Sequence, residues 1–169
     1  FQLDEAGNRI RIAIPKGQQI SKNGIWVGDY IYEDLHEDGV IDEKDRTFLG
    51  NPAPKFTFGF NNYFAYKGFD LNIFLNGSVG NKAVNLIRRT FTDPMRNSNL
   101  LKEATDIALI GMHDPEVGDE ELSNVYIVNA DRAKVQRVTT SSANDNNRIS
   151  SRFIEDASYL RIKNISLGY

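Results

Sequence analysis

The 169-residue chain has no cysteine. That excludes a disulfide scaffold and any Cys-ligated zinc or iron–sulfur site. Histidine is nearly absent as well: His36 and His113 are the only two. There is no G-x-S-x-G elbow, no H-E-x-x-H motif and no Gly-rich phosphate loop, so the common hydrolase, zinc-protease and nucleotide chemistries have no residues to carry them. Basic charge is not in excess. Lys+Arg is 20 against 23 Asp+Glu, a net charge of −3, which offers no footprint for nucleic acid. Long apolar runs are missing too. Residues 107–112 are the best on offer, against the roughly 18 that a membrane helix needs. A membrane β-barrel survives this test, because its strands alternate and never form such runs.

What is present is a folded composition, 40% hydrophobic and 25% charged, at the size of one domain or a piece of a larger one. The chain opens on Phe1 without Met or a signal-like segment, and it stops at Tyr169 inside a strand-like run. Both ends read as cut from something longer.

The clearest pattern follows the breaker cluster Asn51-Pro52-Ala53-Pro54. Phe56, Phe58, Phe60, Phe64 and Tyr66 fall on even positions, with Thr57, Gly59, Asn61, Tyr63 and Ala65 between them. After Lys67-Gly68 the parity flips. Phe69, Leu71, Ile73, Leu75 and Val79 are odd, with Asp70, Asn72, Asn76 and Ser78 between them. A two-residue turn at Lys67-Gly68 puts Tyr66 opposite Phe69 and, in the same register, Phe64 opposite Leu71, Phe60 opposite Leu75 and Phe56 opposite Val79. The residues of these pairs then share one apolar face, with Ala65 opposite Asp70, Tyr63 opposite Asn72 and Asn61 opposite Phe74 on the other, and a one-residue slip would mix the faces. The pattern predicts a hairpin over residues 55–79 with strands about twice the usual length of ~5–6 residues, near the ~9–11 that cross a bilayer. An aromatic-rich face opposite an Asn/Ser/Thr-rich one suits a lipid-facing exterior and a watery lumen. A soluble β-sandwich shows the same alternation.

Other segments read less sharply. Ile10, Ile12 and Ile14 alternate with Arg11 and Ala13, a short strand that Pro15 should stop. Residues 25–32 read as extended and apolar. Leu100, Leu101, Ala104, Ile107 and Ala108 keep helical spacing, with Asn97 or Ser98 as the cap and Gly111 at the end, which predicts a short loop helix. Arg88, Arg89, Arg132, Lys134 and Arg137 read as solvated loop charges, Trp26 as a packed aromatic, and His113-Asp114-Pro115 as a turn. In the last strand Leu160 and Ile162 take one parity and Ile165, Leu167 and Tyr169 the other, so a β-bulge is expected near Lys163-Asn164.

Charge is concentrated in one place. Residues 29–45 hold eight acids and one base, and the remainder of the chain is net positive. Residues 34–45 (DLHEDGVIDEKD) resemble a calcium loop, with acids at positions one, five, nine and twelve and Gly39 at position six. Asp34, Asp38, the Val40 carbonyl, Asp42 and Asp45 are the expected Ca²⁺ ligands. His36 stands where Asp or Asn is usual and should point away, since imidazole suits hard cations poorly. The bland alternative is a solvated acidic turn.

The order of blocks carries a resemblance. Gly28-Asp29-Tyr30, the 34–45 loop, Arg46-Thr47 and Gly50-Asn51-Pro52 are followed by Pro54-Lys55-Phe56-Thr57-Phe58-Gly59-Phe60-Asn61-Asn62 and Tyr66-Lys67-Gly68-Phe69-Asp70-Leu71. The run from Ser151 to Ile165 (SRFIEDASYLRIKNI) closes the set. This resembles the C-terminal barrel region of SusC/RagA TonB-dependent outer-membrane importers. The resemblance implies an all-β fold: a fragment of a large antiparallel transmembrane β-barrel with long extracellular loops and a short loop helix, all 169 residues belonging to the barrel and none to the plug. It implies an outer-membrane location in a Gram-negative bacterium and import of glycan oligosaccharides or peptides. It also implies partners: a SusD-like surface lipoprotein, TonB through the missing plug, the rest of the parent chain, and outer-membrane lipid. No enzyme activity is expected. The rival readings are a secreted calcium-binding β-sandwich that binds glycans or proteins, and a soluble hydrolase fragment.

Overall fold

The computed structural model describes residues 12–169 in full, and of residues 1–11 only the backbone of Gln2–Leu3 and Arg9–Ile10. Arg11, part of the first predicted strand, lies outside the described residues. In chain order the elements are β1 (Gln2–Leu3), β2 (Arg9–Ile10), β3 (Ile14–Pro15), β4 (Val40–Ile41), β5 (Phe56–Tyr66), β6 (Phe69–Val79), β7 (Lys82–Val84), α1 (Leu86–Phe91), β8 (Ile110–Met112), β9 (Val125–Ile127), β10 (Ile154–Asp156) and β11 (Tyr159–Gly168). Four single-turn 3₁₀ segments complete the list. The chain divides into two compact units, one of Phe1–Thr47 with Ile87–Arg148, the other of Phe48–Leu86 with Ile149–Tyr169.

The second unit is built on a three-stranded antiparallel sheet in the order β11-β6-β5. β5 and β6 are each 11 residues long. Their register is the one the alternation dictates: Tyr66 faces Phe69, Phe64 faces Leu71, Phe60 faces Leu75 and Phe56 faces Val79. Lys67 (φ 46°) and Gly68 (φ 87°) are both left-handed. That is the geometry of a two-residue turn whose twist matches the strands it joins. β11 pairs with the other edge of β6, and its register shifts between Ile162 and Asn164. The shift is what the parity change demands. Leu160 and Ile162 lie opposite Gly77 and Leu75, and after the bulge Ile165 and Leu167 lie opposite Ile73 and Leu71. All four stay on the apolar face.

Beyond this sheet β10 pairs with β7. Between the two ladders Gly80 (φ 85°) turns the chain, and its N–H donates to Ser158 Oγ at 2.9 Å. Asp156 accepts from Ser158 N–H at 2.8 Å and from Lys82 Nζ at 3.0 Å. Together these hydrogen bonds hold Asp156 well below the usual carboxylate range, Ser158 first and Lys82 after it. Phe153, just before β10, is fully buried.

The first unit has short strands and long connections. Its core is small: Trp26, Ile41, Ala104, Ala108, Val125 and Val135. Three expectations are corrected here. The run from Ile10 to Ile14 is not one strand. Arg9–Ile10 pairs antiparallel with β1, while Ile14–Pro15 pairs parallel with β4. Pro15 sits inside its strand, which a two-residue edge tolerates because few ladder bonds are at stake. Residues 25–32 form no strand. Gly28 adopts φ 92° and turns the chain, beginning at Trp26, whose carbonyl accepts from Asp29 N–H. The predicted helix over residues 100–108 shrinks to a 3₁₀ turn at Lys102–Thr105, and Gly111 lies within β8. No side chain caps that turn, and Leu101 N–H is drawn to Phe91 O instead. The one α-helix among the described residues is α1, whose end is closed by Thr92, with N–H and Oγ1 both donating to Arg88 O.

Candidate functional site

Three surfaces could carry function. The first is the apolar face of the three-stranded sheet. Phe56, Phe58, Phe60, Phe64 and Tyr66 of β5, Phe69 of β6, and Leu160, Ile162, Ile165 and Leu167 of β11 are all exposed, Phe60 at 54% and Leu167 at 73%. At the turn end the rings of Phe69 and Tyr169 lie 4.5 Å apart. The polar face carries Thr57, Asn61, Asn72, Asn76, Arg161, Asn164 and Ser166 in the same pleat. In water so large an exposed patch marks an interaction surface. In hydrocarbon it is the ordinary outside of a barrel wall.

The second is the acidic loop. Its carboxylates mostly hold its own backbone. Asp34 Oδ2 accepts from Gly39 N–H at 2.7 Å, Asp38 Oδ1 from Val40 N–H at 3.0 Å, and Asp42 Oδ1 from Lys44 N–H at 2.8 Å. Asp45 accepts twice, from Leu35 N–H at 3.0 Å and from Asp42 N–H at 2.8 Å, the latter closing a capping box around the 3₁₀ turn Glu43–Asp45. Its side chain is only 5% exposed. The Asp42 N–H, joined by that of Leu35, lowers the Asp45 pKa. His36 does not turn wholly away: its Nδ1 lies 3.8 Å from Asp45 Oδ1. Lys44 Nζ reaches Asp38 at 3.4 Å. Among the described residues no three His, Cys, Asp or Glu side chains are grouped to hold a metal ion. One feature leaves room for a cation. Asp34 Oδ1 is shielded and has no hydrogen-bond partner.

The third is a buried polar knot that the sequence reading missed. Arg137, expected to be a solvated loop charge, is buried. Its Nε donates to Asp29 Oδ1 at 3.0 Å and its Nη2 to Asp29 Oδ2 at 3.2 Å. Arg137 Nη1 and Nη2 also reach the carbonyls of Lys22 and Gly24. Asp29 accepts further from Trp26 N–H and from Asn146 Nδ2, both at 2.9 Å. Asn146 Oδ1 takes Tyr30 N–H, and Asn144 Nδ2 reaches Tyr30 O. Arg88 is likewise paired, with Glu103 at 2.6 and 2.9 Å, and Arg89 Nε donates to the Asn147 carbonyl. The signal for the knot was Asp29 within Gly28-Asp29-Tyr30, but its partner is 108 residues away. Trp26 packs, as expected, and a cleft of about 380 Å³ lies beside it, its lining including Ile12, Ile14, Ile20, Ile25, Leu122 and Ile127.

Long paired strands with one apolar open face define a piece of an antiparallel transmembrane β-barrel, with the connections between strands gathered into a loop body. Comparison with known proteins agrees. The chain is 32% identical over 142 residues to TonB-dependent receptor P3 of Formosa agariphila, covering 84% of this chain and 12% of the receptor. It is 32% identical over 144 residues to TonB-dependent receptor P26, and 27% over 143 residues to TonB-dependent receptor P39, both of the same organism. No family model matches the chain. The matches support the TonB-dependent receptor family for this sequence, and the chain spans about 12% of the length of the relatives it matches.

Proposed function

We propose that this chain is a wall segment of an outer-membrane TonB-dependent importer of the SusC/RagA type, part of the C-terminal barrel, without enzyme activity. The observation that supports it most is the single open apolar face shared by β5, β6 and β11 and kept intact through a bulge. In this reading the face meets lipid and the Asn-rich face meets the lumen. Both outer strand edges pair with neighbouring strands of the parent chain, since unpaired backbone in hydrocarbon costs several kcal/mol per group. Short turns are periplasmic and long loops extracellular. Lys67-Gly68 then marks the periplasmic end, and residues 81–152 lie outside with the acidic loop. The imported solute is a glycan oligosaccharide or peptide, a SusD-like lipoprotein works over the extracellular loops, and TonB acts through the plug.

The test uses the full-length parent in bilayers. Single cysteines at Phe60 and Leu167 should be shielded from water-soluble thiol reagents and quenched by lipid-borne spin labels, while one at Asn61 should behave the opposite way. Equal labelling of both faces would sink the reading. The imported class is read separately, by uptake of oligosaccharides against peptides in cells carrying or lacking the parent gene.

For the acidic loop the proposed ligand is Ca²⁺, supported by the unpartnered Asp34 Oδ1. Asp34, Asp38, the Val40 carbonyl, Asp42 and Asp45 would hold it, and four of these five now serve the loop's own N–H groups. Extracellular sites of this kind bind at about 10⁻⁴–10⁻³ M. Calcium titration of the intact protein at millimolar levels should give one site fewer in Asp38→Ala; equal uptake would leave the segment as an acidic turn.

A further inference from the structure

We propose that the β11 bulge exists to build an anion-contact site on the polar face, formed by Arg161, Lys163 and Asn164. The inference rests on the barrel-wall reading for the side on which that face lies, and it goes beyond that reading in assigning the face a ligand chemistry.

Ile162 pairs with Leu75 and Asn164 with Phe74, so Lys163 is the extra residue. Remove Lys163 from the sequence and residues 160–169 alternate without interruption: Leu160, Ile162, Ile165, Leu167 and Tyr169 outward, Arg161, Asn164, Ser166 and Gly168 inward. The strand therefore does not need the bulge to keep its apolar face. What the bulge adds is a second inward residue in succession. By the pleat Lys163 follows Ile162 onto the polar side, and the bulge returns Asn164 to that side as well. Arg161, opposite Asn76, stands one inward position earlier, about 7 Å away along the strand. Two cations and a carboxamide thus crowd a short stretch of wall.

Among the described residues no acid on that face lies within reach of them. Arg161 lays its guanidinium over the Tyr159 ring at 5.3 Å, and no carboxylate among the described residues pairs with Arg161 or Lys163. The acid on the same face, Asp70, is opposite Gly168, about 16 Å along the strand from Lys163. Asp156, before β11, is already held by Lys82 and Ser158. Two like charges close together and unneutralised repel, and a bulge that creates this pairing is best explained by a negative group that meets it. The ligand chemistry is a carboxylate, sulfate or phosphate. It comes either from a passing solute or from an acidic side chain of the parent chain inside the barrel.

The chain has no cysteine, so one reporter thiol can be placed in it at will. Ser166→Cys, on the same polar face opposite Asn72, is made in the full-length parent in its membrane. Its reaction with an anionic and with a cationic methanethiosulfonate is timed. The expected result is an anionic-to-cationic rate ratio that falls by about twofold when Lys163→Gln or Arg161→Gln removes one charge on this face. A ratio unmoved by either change overturns the site. Leu167→Cys is the control: silent to both reagents, it leaves the wall reading standing even if the anion site falls, whereas reactivity like that of Ser166→Cys takes the wall reading down and the site with it. If both reagents are shut out of Ser166→Cys, the source is internal, and Lys163→Glu must then lower the thermal midpoint of the parent more than Lys163→Gln does. Equal midpoints in that case overturn the proposal.

Discussion

Arg137 and Asp29, 108 residues apart in sequence, form a side-on ion pair whose side chains are only 8% and 3% exposed. Such a pair contributes little against a well-packed apolar replacement, but losing one partner strands a buried charge. Arg137→Ala should therefore destabilise the loop body by about 3–5 kcal/mol. Hydrogen exchange in the full-length protein should report it as lost protection at residues 22–30 and 134–146. Protection unchanged there would mean that the small apolar core alone holds the loops. Gly28→Ala should act at the same place, because a Cβ there would meet Arg137 Cβ at 3.1 Å and Ala108 Cβ at 3.2 Å, with φ at 92°.

The hairpin turn gives a second prediction. Lys67 and Gly68 both take positive φ, so a β-branched residue at 68 is costly and an Asn at 67 is welcome. Gly68→Val should cost about 1–2 kcal/mol in urea titrations of the refolded protein, from the left-handed penalty alone. Lys67→Asn should be neutral or stabilising. The reverse order of the two variants would mean that the turn is set by contacts outside the hairpin.

The two faces of the sheet should respond oppositely to charge. Leu75→Arg, near the middle of β6 on the apolar face, should cost about 2–4 kcal/mol if that face lies at the bilayer midplane. Asn76→Arg, one residue on and facing the other way, should cost much less. Lipid-dependent refolding yields compare the two. Similar losses for both would place protein, not lipid, on the apolar side.

Much of this wall was legible because a strand's period is short and its partner is local. Tyr66 and Phe69 are three residues apart, and their register follows from a two-residue turn and one flip of parity across it. The bulge was legible for the same reason, as a break in a period-two pattern. The loop body was not, because its order comes from contacts distant in sequence. Nothing near Arg137 announces Asp29, and nothing in Leu100, Leu101, Ala104, Ile107 and Ala108 announces that Leu101 N–H is taken by Phe91 O. Short segments with weak propensity adopt whatever the tertiary contacts favour. The acidic loop was half legible. Its turn and its Gly39 were foreseen, whereas the use of its carboxylates as backbone acceptors depends on which N–H groups the turn happens to expose.

The bulge can be tested as a structural element apart from any ligand. Deleting Lys163 leaves a continuous alternation, so the variant should fold, with Ile165 and Leu167 still on the apolar face. Inserting one Ala after Asn164 should turn Ile165 and Leu167 inward and Ser166 outward, with a large loss of folded yield. Heat-modifiable migration on gels separates folded from unfolded barrels. A deletion as damaging as the insertion would show that the extra residue is needed for the strand itself.

Asp45 sets the response of the acidic loop to acid. Its carboxylate is the acceptor for the N–H groups of Asp42 and Leu35, and it is nearly closed off from solvent. These bonds favour the charged form, so the folded pKa lies below the ordinary value of 3.8. A group lowered on folding stabilises the fold at pH values above its unfolded pKa, where it is fully charged in both states. That contribution is lost as pH falls through the lowered, folded value, because the carboxyl is then neutral in both states and the bonds that favour its charged form no longer separate them. The loop should therefore be fully closed at neutral pH and open progressively only below about pH 4. Asp45→Asn keeps one carbonyl acceptor but gives up the charge and brings an NH₂ group against the donors. It should open the loop already at neutral pH and flatten the acid transition. Amide exchange at Leu35 and Asp42, followed from pH 7 downward in both proteins, measures this. Identical profiles would mean that the capping box does not hold the turn, and that the other carboxylates of the loop share the task equally.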